Sequence, residues 1–130
     1  MSVAGLKIIT DAMESLGLNY SFMRYDVAEG EEAPETYFVG EYQEIEATEE
    51  TGLQETIFLL TGFSRGSWIA LEEAKEKISA YFSSVGGHTV IAEDGSAVAI
   101  FYSNSLVVPT EDSELKRLQI NLDIKEWRVR

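Results

Sequence analysis

The stretch Arg117-Leu-Gln-Ile-Asn-Leu-Asp-Ile-Lys-Glu-Trp127 constrains this chain more than any other. Leu118, Ile120, Leu122 and Ile124 alternate with Gln119, Asn121, Asp123 and Lys125. Successive side chains of a strand point to opposite faces, so the alternation specifies a strand with one apolar and one polar face. An apolar layer must cover the first of these faces. Two segments have the periodicity to supply it. Val3, Leu6, Ile9, Met13 and Leu16 recur at intervals of three and four, which predicts an amphipathic helix over 3–17. Ser2 is its N-cap, Gly17 its stop, and Lys7 and Asp11 lie four apart on its wet side. Leu71, Ala74, Ile78, Tyr81 and Val85 repeat the spacing after an N-cap at Ser67. Glu73 and Lys77 pair on the opposite face, and Gly86-Gly87 ends this second helix.

The remaining segments read as strands. Residues 20–27 alternate loosely, and the polar run 29–35, with Pro34, breaks them off. Residues 36–46 carry Tyr37, Phe38, Val39, Tyr42 and Ile45, types that favour strands. After an acidic break at 48–52, residues 53–63 place Leu53, Ile57, Leu59 and Phe63 on one parity and Thr56, Phe58 and Leu60 on the other. That strand is expected to be buried on both faces for part of its length. His88 to Glu93 and Ala97 to Val108 flank Asp94-Gly95, a strong hairpin signal. The expected order is α-β-β-β-α-β-β-β in a single domain over 1–130. The expected class is α+β, with two amphipathic helices packed on one face of a mostly antiparallel sheet.

Composition narrows the chemistry. A chain of 130 residues, 45% apolar and 11% aromatic, has enough apolar matter for one core. The absence of cysteine excludes disulfides, thiolate catalysis and cysteine zinc sites; a single histidine excludes two-histidine metal sites within one chain. The longest apolar run, Ala97 to Tyr102, is too short to span a bilayer, and Met1 to Leu6 lacks the basic and apolar regions of a signal peptide. A soluble intracellular domain is expected. The net charge of −13 disfavours nucleic-acid phosphate and anionic membranes as partners.

No catalytic, cofactor or metal site is expected. His88 lies in Gly-Gly-His-Thr, near Ser83, Ser84 and Thr89 but at no known motif spacing, and reads as a loop histidine bonded to its neighbours or water. The 23 acidic residues make carboxylate pairs inevitable and therefore uninformative. Asp94-Gly95-Ser96 reads as a turn rather than a calcium loop. Gly62-Phe-Ser-Arg-Gly66 lacks the lysine of a phosphate loop and reads as a flexible β-to-α turn.

Charge placement is more informative. Between Arg24 and Arg65 lie eleven acidic residues and no basic one, whereas 116–130 hold five basic residues against two acidic. Acidic loops keep a small protein soluble, but an acidic surface can equally meet a basic one on a neighbouring copy. Such a head-to-tail contact is heterologous and generates rings when the rotation closes. On that reading the interface candidates are Glu29, Glu31, Glu32, Glu35, Glu49 and Glu50 on one side and Lys116, Arg117, Arg128 and Arg130 on the other. Tyr37, Tyr42 and Trp127 are further candidates, being large aromatics off the main parity or beside acidic loops.

The layout also resembles a known group. It runs from an N-terminal amphipathic helix through Pro34-Glu-Thr-Tyr-Phe-Val39 and a long strand from Leu53 to Phe63 into a helix from Trp68 to Phe82. It closes on the alternating strand 117–127. Over residues 3–129 this is similar to the tail-terminator and tail-completion proteins of long-tailed bacteriophages. The resemblance implies a virion structural protein, an α+β subunit assembled in the host cytoplasm as a ring, hexameric in that group, on the tail tube. It would end tube polymerisation and provide the surface for joining the head, with the tail tube protein and a head-completion protein as partners. Membrane and sequence-specific nucleic-acid binding are not part of it, and an acidic lumen would let DNA slide past. Two other readings stand beside it: an acidic module that mimics nucleic acid and blocks a host factor, and a small hydrolase using a glutamate pair.

Overall fold

The computed structural model describes residues 1–45 and 52–127. They form α1 (Val3–Ser15), β1 (Tyr20–Phe22), β2 (Thr36–Ile45), β3 (Leu53–Ser64), α2 (Trp68–Tyr81), β4 (His88–Ile91), β5 (Ala97–Val108) and β6 (Lys116–Trp127). The class is α+β, with the two helices beside one mixed six-stranded sheet in the order β1-β2-β3-β6-β5-β4. β1 runs parallel to β2, and the other neighbouring pairs are antiparallel.

Local chemistry sets most element ends. The Ser2 side chain accepts the Gly5 N–H at 3.0 Å, and Gly17 leaves α1 with φ +72. Ser2 also donates its own N–H to Glu126 Oε1 at 3.0 Å, so a buried carboxylate of β6 sits at the positive end of the helix. Val3, placed on the apolar stripe by spacing, is 82% exposed; Ile9, Ala12 and Met13 are the buried face. The strand expected over 20–27 stops at Phe22, because Met23 takes φ +70 and turns the chain away. α2 is capped by Ser67 as expected but ends at Tyr81, so Val85 lies beyond it and is exposed. Its ion pair joins Lys75 to Glu72. The hairpin after β4 turns through Asp94, whose carboxylate accepts the Ser96 N–H at 2.8 Å, and through Gly95 at φ +89.

Register places most of the buried strand residues on one face, with Thr61 and Ala99 on the other. Phe38, Gly62 and Leu118 form one cross-strand row, and Gly40, Leu60 and Ile120 the next. Together with Phe58, Leu122, Ile124, Val98 and Ile100 this face joins Ile9, Ala12 and Met13 of α1 and Leu71, Ala74 and Ile78 of α2 in one buried cluster. Two glycines make the approach possible. A Cβ on Gly62 would lie 2.6 Å from the Phe38 ring and 3.0 Å from Leu71, and one on Gly40 would lie 2.6 Å from the Phe58 ring. Gly62 thus belongs to a closely packed strand rather than to a flexible turn.

Candidate interface on the second sheet face

The opposite face is half-buried and is built from four chain segments. Tyr37, Phe63, Arg117 and Val108 occupy successive strands of a single row. The Tyr37 ring stacks on Phe63 at 5.3 Å and takes Tyr25, from the turn after β1, at 5.0 Å. The Arg117 guanidinium lies 5.6 Å from the Phe63 centroid, a cation–π arrangement. Between this row and the 23–25 turn opens a cleft of 310 Å³, whose walls also include Val39, Glu41 and Thr61. Neither helix contributes to it. Arg117 Nε is buried and makes no hydrogen bond among the described residues. A planar cation beside stacked aromatics suits a carboxylate or another planar anion flanked by apolar surface.

The same end of the sheet gathers several of the charged residues singled out by the sequence. Thr36, Ser64 and Lys116 lie in one row, and the Thr36 and Ser64 hydroxyls bond at 2.9 Å. The Arg65 N–H donates to the Glu35 carbonyl at 3.0 Å, and its guanidinium bonds Asp112 at 3.1 Å. The Glu114 N–H, and then Arg65, hold the Asp112 carboxyl below the usual carboxylate range. Glu29, Glu31, Glu32 and Glu35 are all exposed in the connection between β1 and β2. Its last residue therefore lies near Lys116 and Arg117 rather than across the molecule from them. Glu49, Glu50, Arg128 and Arg130 lie outside the described residues.

Of the aromatics singled out, Tyr42 and Trp127 are each 39% exposed, and Tyr42 stacks on Phe22 at 5.9 Å. His88 opens β4 rather than lying in a loop, with its ring 4.8 Å from that of Tyr81. Phe63 and Tyr25 escaped the sequence reading as interface residues. The available signal was parity: Phe63 shares a side with Leu59 and Ile57, and Arg117 shares one with Gln119 and Asn121. Among the described residues, no group of three or more His, Cys, Asp or Glu side chains is placed to hold a metal ion, and no helix is long and apolar enough to cross a membrane. No protein-family model matches the chain, and no curated protein does either.

Proposed function

We propose that the chain is a virion structural subunit of a long-tailed phage, which caps the tail tube as a hexameric ring, ends tube growth and presents the head-joining surface. The observation that carries the reading is the second sheet face, where Tyr25, Tyr37, Phe63 and Arg117 form a semi-exposed aromatic–cation surface away from the helices. Aromatic and arginine side chains of this kind are what protein–protein contacts are made from. Part of the reading is that both helices cover the other face, so that this one is free to meet tube, head protein or a neighbouring subunit. The tube protein and a head-completion protein are the partners, and the virion tail is the place. The nucleic-acid-mimic alternative asks for carboxylates spaced along a rigid surface. It is disfavoured because Glu29, Glu31, Glu32 and Glu35 sit together in one irregular connection.

The test combines light scattering over a concentration and salt series with a capping assay on assembled tail tubes. Hexamers, in solution or at tube ends, and arrested tube growth are expected. A protein that remains monomeric at millimolar concentration and leaves tube growth unchanged refutes the reading.

A further inference from the structure

The two outer strands are much shorter than the strands they flank, and this leaves two unpaired half-edges. β1 covers only Phe38–Gly40 of the ten-residue β2, and β4 covers only Ala97–Ile100 of the twelve-residue β5. In an antiparallel pair, alternate residues turn their main-chain groups to the same neighbour. The Phe38 N–H donates outward to Asn19 at 2.8 Å, and the Gly40 carbonyl accepts from Met23 at 2.7 Å. The same alternation turns the N–H and C=O of Tyr42 and Glu44 outward, with no main-chain partner among the described residues. On the other edge the Tyr102 N–H donates outward to Phe82 at 2.6 Å. Past the bulge between Tyr102 and Asn104, alternation leaves Ser105 and Val107 turned outward in the same way.

We propose that these half-edges are the joint between copies of this chain: residues 42–44 of one subunit add to residues 105–107 of the next, extending the sheet from subunit to subunit. The inference deepens the ring reading and rests on it for the number of subunits. Strand direction fits, since successive antiparallel steps from β2 through β3 and β6 make β5 run opposite to β2. A copy placed alongside in the same orientation then offers an antiparallel partner. One register uses all four outward residues: Tyr42 opposite Val107 of the partner subunit, Gln43 opposite Leu106 of the partner subunit, and Glu44 opposite Ser105 of the partner subunit. It also matches faces, because Tyr42 and Val107 belong to the face of Phe58 and Leu118, and Gln43 and Leu106 to the face of Ile57 and Gln119.

Exposure and charge agree with this choice. Tyr42, Leu106 and Val107 are among the exposed large apolar side chains, at 39%, 47% and 55%. Residues 97–110 contain no charged side chain, whereas the free half of β2 carries Glu41 and Glu44. The N-terminal ammonium of Met1 pairs with Glu44, which leaves Glu41 as the unpaired charge of this half among the described residues. Pairing β2 with its own copy would bring Glu41 of both together, whereas pairing it with β5 opposes it to neutral residues. The same register sets Glu41 in one row with Val108 of the partner subunit and, one strand further, Arg117 of the partner subunit. The two backbones are then about 10 Å apart, within joint reach of a glutamate and an arginine. The contact is head-to-tail, so it propagates and closes only as a ring.

The chain has no cysteine, which makes cross-linking unambiguous. Gln43 and Leu106 would form a non-hydrogen-bonded pair with Cα atoms about 4.5 Å apart, inside the range a disulfide spans. The double variant Gln43→Cys/Leu106→Cys and each single variant are oxidised and run on non-reducing gels, and the reduced samples are measured by light scattering. The expected result is a ladder of linked multimers from the double variant only. Dimers from Leu106→Cys alone would reveal β5 paired with its own copy and overturn the proposal. Oligomers by scattering with no linked ladder overturn the edge joint and leave the ring; a ladder with no effect on tail tubes upholds the joint and removes the tail reading. Monomers by both measurements remove both.

Discussion

Gly62→Ala adds one methyl group where β3 passes beneath both Phe38 and α2. The backbone there is not left-handed, so the alanine adopts the native conformation without torsional strain. Two effects oppose each other. Removing a glycine from a strand restricts the unfolded chain and favours folding by roughly 0.5–1 kcal/mol. Against this, the new Cβ lies 2.6 Å from Phe38 Cε1 and 3.0 Å from Leu71 Cδ2. Carbon atoms prefer about 3.5–4.0 Å, so roughly 1 Å of overlap must be relieved. Phe38 and Leu71 are both fully buried, and neither can swing into solvent. Overpacking of this kind costs about 1–3 kcal/mol, and we expect it to prevail.

The net loss, up to about 2.5 kcal/mol, lowers the melting temperature by up to roughly 10 °C for a domain of this size. Urea unfolding followed by Trp68 and Trp127 fluorescence measures it, as a lower midpoint at unchanged slope. The companion variant Phe38→Leu isolates the cause. If the ring is what the methyl group meets, the double variant loses less than the two single losses together, with a coupling of about 1 kcal/mol or more. A midpoint for Gly62→Ala at or above that of the parent, or strict additivity with Phe38→Leu, would refute the packing argument.

Glu126→Gln removes the carboxylate that receives the Ser2 N–H at the start of α1, and a loss of about 1–2 kcal/mol is expected in the same urea assay. Tyr20 has a buried hydroxyl without a hydrogen-bond partner among the described residues, and burial pushes its pKa up to about 12. A folded pKa above the unfolded one stabilises fully below the ordinary tyrosine value and is lost as pH rises through about 10 to 12. Tyr20→Phe should therefore flatten the alkaline limb of melting temperature against pH and cost under about 0.5 kcal/mol at neutral pH. Asp112 has the opposite sign: its lowered carboxyl contributes above the ordinary aspartate pKa of about 3.9 and ceases to contribute as pH falls through its folded value. Asp112→Asn should shrink the acid-limb loss seen between about pH 5 and pH 3 in the same melting series.

Periodicity made much of the fold legible. The alternation at Leu118, Ile120, Leu122 and Ile124 became the buried face of β6, and Ser2 and Ser67 both cap helices. The misses share a cause, which is that repetition does not record what stands opposite. Val3 and Val85 keep the helical spacing, yet one lies in the exposed first turn and the other past the helix end. The parallel pairing of β1 with β2 leaves no trace in the spacing of residues 20–27, and the positive φ of Met23 is set by the turn rather than by its side chain. The aromatic–arginine cleft needed register to assemble it, because Tyr25, Tyr37, Phe63 and Arg117 come from four segments.

The charge pattern acquires a physical meaning once the sheet order is known. Free strand edges recruit other chains, and proteins that must stay apart block them with charge, proline or a bulge. Here the two half-edges are treated unequally. The free part of β2 is acidic, while β5 has a bulge and Pro109 beside it but no charge from residue 97 to 110. In a chain that is 25% charged, this strand, with Leu106 and Val107 exposed, is guarded by the bulge and Pro109 but by no charge. Protection by charge is confined to β2. One acidic edge and one neutral edge oppose pairing of β2 with its copy and permit pairing of β2 with β5. That selects a head-to-tail contact over a two-fold one. Adding Leu106→Lys should block it, leaving the monomer stability within about 0.5 kcal/mol because the site is exposed. A Leu106→Lys variant that assembles as well as the parent by light scattering would show that this edge is not the joint.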